Sequence, residues 1–398
     1  MVAAMDSSPQ ASPPISIPRA VATLGVTQTI AFACSFYLPA PLAKDMAAGV
    51  GVGPSVAFLA FSGAMLIQPG LAPWIGRIVD QRGARGPLAA SSVILAVGLV
   101  GLGAAQNAWQ LVLAWLVIGL GMAAGLYDVA FAGLVGWFGQ DARRGLTGVT
   151  LIAGFASTVG WPLTAWIQHS FDWRAACFAW AALNLAIALP LHLSLPRGAS
   201  FHAARADADG GAAPSPRLTR EAVLLATAFA AMSIIGATLS AHLPLLLAAF
   251  GVTTAAAIAA GALVGPSQVA ARVAEFALVR SIHPLVSGRA AVAMFPIAAA
   301  LILTLGAPAA APFVVLYGCG NGLFTIVRGS LPLAMFGPQG YGARLGVLNV
   351  PARILGAVSP FVFALVLERS APLMVAILGA LGLSALACLL ALRRPEAA

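Results

Sequence analysis

Charge is the scarcest commodity in this chain. Only 8% of its 398 residues are Asp, Glu, Lys or Arg, against about 25% in a soluble domain, and the single lysine is Lys44. So few charges cannot cover a water-facing surface. Cysteine is scarce too. Cys34, Cys177, Cys319 and Cys388 stand far apart with no C-x-x-C spacing, which argues against a zinc site or a dithiol centre and suits small apolar side chains. The patterns H-E-x-x-H, G-x-S-x-G and G-x-x-x-x-G-K-[ST] are missing, as is any His pair at metal-ligand spacing. No enzyme activity, metal or cofactor is expected, and without an ATP-binding segment any pumping must draw on an ion gradient. The formal charge of +9 comes from arginines scattered singly, with no basic stripe or interleaved aromatics, so a nucleic-acid partner is not expected.

What the chain has instead is apolar length. Sixty per cent of it is hydrophobic and its mean hydropathy is +0.95. A helix needs roughly 20 apolar residues to cross a bilayer. Hydropathy places about twelve such spans near 20–41, 54–75, 87–105, 110–135, 146–168, 174–195, 221–248, 254–279, 290–306, 310–335, 344–367 and 371–392. The expected fold is an all-α polytopic membrane protein whose first partner is the lipid bilayer.

The loops set an orientation. One set holds Arg77, Arg82, Arg85, Arg143, Arg144, Arg197, Arg205, Arg217, Arg220, Arg280, Arg289, Arg344, Arg393 and Arg394, while the other offers Lys44, Arg174 and Arg369. The positive-inside rule then puts both termini in the cytoplasm. Residues 1–19 lack the parts of a secretory signal and read as a disordered cytoplasmic tail. The Arg/Asp/Gly/Ala/Pro stretch 197–219 reads as a flexible cytoplasmic linker. It would join a six-helix half over 20–196 to another over 220–394, with 395–398 as a second short tail. Alanine- and arginine-rich usage with one lysine points to a GC-rich bacterium, hence its inner membrane.

The halves echo each other. Gly119-Leu120-Gly121 opens a stretch ending Trp137-Phe138-Gly139, and Gly318-Cys319-Gly320 opens one ending Met335-Phe336-Gly337. Gln68 precedes the first charged turn as Gln268 precedes the corresponding, eroded turn of the second half. Weak repetition of two parallel halves is a transporter signature.

Between the second and third spans lies Gly76-Arg77-Ile78-Val79-Asp80-Gln81-Arg82-Gly83-Ala84-Arg85-Gly86-Pro87-Leu88. Its G-x-x-x-D-x-x-G-x-R pattern, with Gly76, Asp80, Arg82, Gly83 and Arg85, resembles the gating loop of the major facilitator superfamily. Gln81 departs from the Arg or Lys usual there. The resemblance implies twelve helices in two pseudo-symmetric six-helix halves and secondary transport by alternating access. Helices 1, 4, 7 and 10 would line a cavity flanked by 2, 5, 8 and 11. Asp80 would act as a latch on the N-terminus of helix 11, Gly76 would permit close helix approach and Gly83 would allow the tight turn.

Five charges remain inside spans: Asp128, Arg272, Glu275, Arg328 and Arg353. Each costs at least about 2.5–3.5 kcal/mol in hydrocarbon on the lenient insertion scale, so each needs a partner, water or ligand. All five fall on helices that the resemblance assigns to the cavity or its flank. Three arginines against two carboxylates predict an anionic substrate, since guanidinium suits carboxylate or phosphate bidentately. Gly265-Pro266-Ser267-Gln268-Val269-Ala270-Ala271-Arg272 resembles helix 8 of the monocarboxylate and oxalate/formate branch, and Arg353 falls where the oxalate exchangers carry a basic residue. The implied substrate is a small monocarboxylate, with Arg272 and Arg353 as leading ligands beside Arg328. Gln28, Tyr37, Tyr127, Gln268, Asn321 and Asn349 are neutral hydrogen-bonding candidates. Asp128 and Glu275 are the proton-coupling candidates.

The same charges have structural readings. Arg272 and Glu275, at i,i+3, suit mutual neutralisation, and Arg328 with Asp128 suits a pair between the halves. His242 suits a helix end at the membrane interface or a place on the cavity wall. Prolines 69, 162, 266, 332, 351 and 360 are expected to bend helices. The other functions to weigh are an efflux antiporter for drugs or amphipathic metabolites and a transporter-like sensor without flux. A monomer is expected.

Overall fold

The computed structural model describes residues 15–138, 142–197, 219–278, 283–336 and 341–392. Most of the expected tail and linker, the loop residues 139–141, Arg280 and the C-terminal arginines lie outside the described residues. So do the side chains of Asp80, Arg143 and Arg344.

Among the described residues twelve helical spans are long and apolar enough to cross a bilayer. They are α1 (Ile17–Gly49), α2 (Pro54–Arg82), α3 (Arg85–Ala104), α4 (Ala108–Phe138), α5 (Ala142–Ala153 continued by Ala156–Ser170) and α6 (Trp173–Leu193). The second set is α7 (Arg220–Ala249), α8 (Thr254–Ala262 continued by Val264–Leu278), α9 (Pro284–Leu305), α10 (Ala310–Phe336), α11 (Tyr341–Arg369) and α12 (Ala371–Ala391). Arg82, Arg85, Arg144, Arg197, Arg220 and Arg289 gather at one set of helix ends, here the arginine-bearing side. Lys44, Arg174 and Arg369 mark the opposite side.

Local chemistry fixes the helix ends. Asn107, Asp172, Thr219, Thr253 and Ser370 each accept the backbone N–H three residues on, a cap worth about 1 kcal/mol. Two arginines close helix C-termini belonging to other spans. Arg174 donates to the carbonyls of Gly103 and Ala105 at 2.8 and 2.6 Å. Arg289 donates to those of Leu389, Leu390 and Leu392. That is why Arg289, expected in a loop, sits inside α9, which starts at Pro284 behind the His283 cap. The expected turn 76–88 is also shorter than its motif. Nothing between Gly76 and Arg82 opposes a helix, so α2 continues to Gly83, where a φ of +83° ends it.

Helices pack through small residues, as they must where lipid offers no hydrophobic driving force between them. A Cβ on Gly160 of α5 would lie 2.7 Å from Ala33 of α1, and one on Gly148 would lie 2.7 Å from Val21. The same device reveals the repeat. Gly119 of α4 abuts the Ala64 backbone of α2, and Gly121 abuts Leu95 of α3. In the second half Gly318 of α10 abuts the Val264 backbone of α8, and Gly320 abuts Ala291 of α9. Two six-helix halves, α1–α6 and α7–α12, therefore share one packing plan.

Several spans are interrupted. α1 breaks across Ser35–Leu38 ahead of Pro39, α5 at Gly154-Phe155 and α8 at Leu263. In α6 a π-helical turn spans Asn184–Ala188, where Pro190 removes a donor from the ladder. In α4 Leu126 adopts extended backbone between Gly125 and Tyr127, with no proline to announce it. Large exposed side chains such as Trp109, Trp166 and Phe171 lie toward the opposite-side helix ends, as an aromatic belt requires.

Candidate functional site: a cavity between the halves

The halves meet along two seams on the opposite side, related by the repeat. In one, the Phe361 N–H of α11 donates to Ser62 Oγ of α2 at 3.1 Å. In the other, Thr158 Oγ1 of α5 donates to the Ala262 carbonyl of α8 at 2.8 Å. The second bond has a cause in the sequence. Pro266 lacks the N–H that would have used the Ala262 carbonyl, so that acceptor is left for the other half. His242 of α7 is fully buried beside the first seam. Its Nε2 lies 2.8 Å from the Pro360 carbonyl, and its ring lies 3.9 Å from that of Phe58 in α2. It therefore occupies neither of the expected places, the membrane interface or the cavity wall.

From these seams toward the arginine-bearing side, α2 and α11 part around a cavity of about 430 Å³. Met65, Gln68 and Pro69 of α2, with Asp128 and Phe131 of α4, form one wall. Ser233 of α7, Thr325 and Arg328 of α10, and Asn349, Arg353, Gly356 and Ala357 of α11 form the other. On α2, α7 and α11, which carry both, the cavity residues lie between the closed contacts and the arginine-bearing end. Arg353 Nη1 lies 3.4 Å from Asp128 Oδ2, with 40% and 70% of the two side chains exposed. It is the one ion pair recorded among the described residues, and it crosses between the halves. Asp128 also occupies the first turn of the second segment of α4, where the helix N-terminus favours its negative charge.

The expected Arg328–Asp128 pair is replaced by this one. Arg328 Nε instead donates to Asn349 Oδ1 at 2.5 Å. Two guanidiniums thus face one carboxylate across an open space.

The other leading arginine is occupied differently. Arg272 donates to the Gly322 carbonyl at 3.3 Å, to the Thr150 carbonyl of the other half at 3.1 Å and to Gln268 Oε1 at 3.4 Å. It makes no ion pair with Glu275. That carboxylate lies beside Ser287 of α9, with one oxygen buried and unpartnered, and does not line the cavity. Gln28 is fully buried. Its Nε2 donates to the Gly125 carbonyl at 2.7 Å, so it serves the break in α4, and its Oε1 has no partner. Asn321 is half-buried near Gly236 of α7 and accepts from Thr325 through its backbone carbonyl. Tyr127 belongs to an aromatic wall, 4.6 Å from Phe32 and stacked on Phe131 at 4.9 Å. Tyr37 packs edge-on to Trp161, beside Gln268 and Arg272.

A Cβ on Gly76 would meet nothing within 4 Å, so its expected role in close helix approach is absent. It lines a narrow wedge between α2 and α4 instead. The expected latch would join the Asp80 side chain to the start of α11, whose side chains from Tyr341 to Val347 are also outside the described residues. Sequence reasoning overlooked Phe131, Ser233 and Thr325 as cavity residues. Thr325 carried a signal, since it lies one helical turn before Arg328. Gln68 was visible only as the repeat partner of Gln268.

Comparison with known proteins gives three findings. The family model described as Major Facilitator Superfamily matches residues 26–360. A search of curated proteins returned no match. Among solved structures, the crystal structure of a mutant of the nucleoside transporter NupG superposes with a TM-score of 0.76 at 12% identity, covering 94% of this chain and 99% of that one.

Proposed function

The chain belongs to the major facilitator superfamily, a multi-pass membrane transporter, and from that premise we propose that it carries a small organic anion by alternating access. The observation that carries this reading is the pair Arg328 and Arg353 set against the single carboxylate of Asp128 in the open cavity. Planar guanidiniums bind carboxylate or phosphate through paired charge-assisted bonds, and two guanidiniums set against one carboxylate leave an excess positive charge for an anion to neutralise. Gln68, Thr325 and Asn349 supply neutral hydrogen bonds around it. Asp128 is the coupling group of this reading. Proton binding there would free Arg353, and a departing substrate would let the pair re-form.

The moving bodies are 20–196 and 220–394, joined by the linker 197–219. The arginine-bearing side is cytoplasmic, so the cavity faces inward, in a bacterial inner membrane. Arg272 ties the two halves together through the Thr150 carbonyl, and neither Gln28 nor Glu275 lines the cavity.

Uptake of labelled small carboxylates into proteoliposomes, with and without an inward proton gradient, tests the proposal. Saturable flux that Arg353→Gln abolishes is the expected result. Binding without flux would make the protein a sensor, and efflux of cationic dyes would make it an exporter. The aromatic wall of Phe32, Tyr127 and Phe131 favours one second reading, a nucleoside like that of the NupG transporter. Labelled nucleosides therefore belong in the same panel, and their flux with none of any carboxylate would replace the anion reading.

A further inference from the structure

The break in α4 has a consequence beside the cavity. The extended backbone at Leu126 offsets the two segments of α4, and a wedge-shaped pocket opens between them and α2. Gln68, Ala72, Ile75, Gly76 and Val79 present one face of α2 to it, at spacings of three, four and one. Met122, Ala123, Leu126, Val129 and Ala132 close it from α4. Gln68 and Asp128 belong to both the wedge and the main cavity, so the two spaces adjoin at those side chains. Everything else lining the wedge is apolar. Its volume is about 60 Å³, room for about four heavy atoms at roughly 15 Å³ for each water-sized sphere.

We infer that this wedge is a specificity pocket for an apolar group on the substrate, so that the transported compound is an amphipathic organic anion. Its anionic head lies over Arg328 and Arg353. Its apolar end, four or so heavy atoms long, enters between α2 and α4. Asp128 stands at the junction, where a second carboxylate would be repelled, so the substrate presents a donor there: a hydroxyl or an ammonium next to the head group. A 2-hydroxy or 2-amino acid with a short aliphatic side chain has this order of groups. A dicarboxylate does not. The inference rests on the anion reading for its head group and on the wedge alone for its tail.

Equilibrium binding to the full-length protein in nanodiscs tests it, using 2-hydroxy acids of two to eight carbons and 1-alkanols of the same lengths. Affinity for the acids should rise about fourfold per added methylene, the factor that corresponds to roughly 0.8 kcal/mol of buried CH₂. The rise should stop near six carbons, when the wedge is full. In Ala132→Phe, and independently in Ala72→Phe on the facing helix, the ratio of six-carbon to two-carbon affinity should fall to about one. A flat wild-type series, or a gradient that survives both substitutions, overturns the wedge while leaving the anion reading in place. Alkanols that bind as tightly as the acids, with a gradient both substitutions erase, overturn the anionic head and keep the wedge. No binding by either series to protein that still melts cooperatively overturns both.

Discussion

Arg353 and Asp128 meet across the halves in a space open enough to leave 40% and 70% of their side chains exposed. An ion pair so solvated is worth about 1 kcal/mol or less to stability, so its importance must lie in what it releases when it opens. Asp128→Asn should therefore move the detergent-solubilised protein's unfolding free energy by no more than about 1 kcal/mol. It should tighten binding of a simple carboxylate that offers Asp128 no donor, because Arg353 loses its competitor. A loss of several kcal/mol would mean the pair is a structural tie instead. Arg272 poses the reverse case. Its three acceptors come from α5, α8 and α10, and only a planar fork reaches all of them. Arg272→Lys should cost about 1.5–3 kcal/mol in stability, the range for hydrogen bonds to charged groups, with substrate affinity little changed. A tenfold loss of affinity at unchanged stability would restore Arg272 as a ligand. The five intramembrane charges were legible in the sequence because hydrocarbon tolerates no idle charge. Their pairing was not, because it depends on which helix faces which.

At the scale of the helix, glycine and proline do different work in different places. Gly119 and Gly322 each leave room for a neighbouring helix, and a Cβ on either would lie 2.6 Å from a backbone oxygen, of Ala64 or Gln268. Gly119→Ala should cost about 1–3 kcal/mol by overpacking. Gly76→Ala should stay within about 0.5 kcal/mol, since nothing lies within 4 Å of its added carbon. Equal destabilisation of the two variants in thermal melts would contradict the packing described for α2 and α4. Expectation and structure part company here over Gly76, whose place in a motif says nothing about how near a neighbour comes. The spans themselves were readable from apolar length, and the carbonyl left free at Ala262 from the missing N–H of Pro266. The break at Leu126 had no such marker. It is sustained by Gln28 reaching over from α1 to the Gly125 carbonyl, a contact 97 residues away in the chain.

Among the described residues the molecule is closed on one side and open on the other. Phe58, Ser62, Thr158, His242, Ala262 and Phe361 form the closed side, while Thr325 and Arg353 are exposed in the cavity on the other. In a variant without the four native cysteines, Thr325→Cys should react with a membrane-impermeant maleimide added to the arginine-bearing face and not when it is added to the other. Ser62→Cys should resist it from both. Labelling of Thr325→Cys from the opposite face alone would reverse the description of which side is closed.

The order of residues along the chain was enough to place it in a bilayer, to set how many times it crosses and to show that it is built twice over. Those properties follow from apolar length and repeated spacing, both local along the chain. The pairing of Arg353 with Asp128, the diversion of Arg272 to backbone carbonyls and the opening of the α2–α4 wedge were decided by tertiary structure. Each depends on the rotation and offset of helices far apart in sequence, and in a membrane those are set by small-residue contacts and buried polar bonds rather than by hydrophobic patterning.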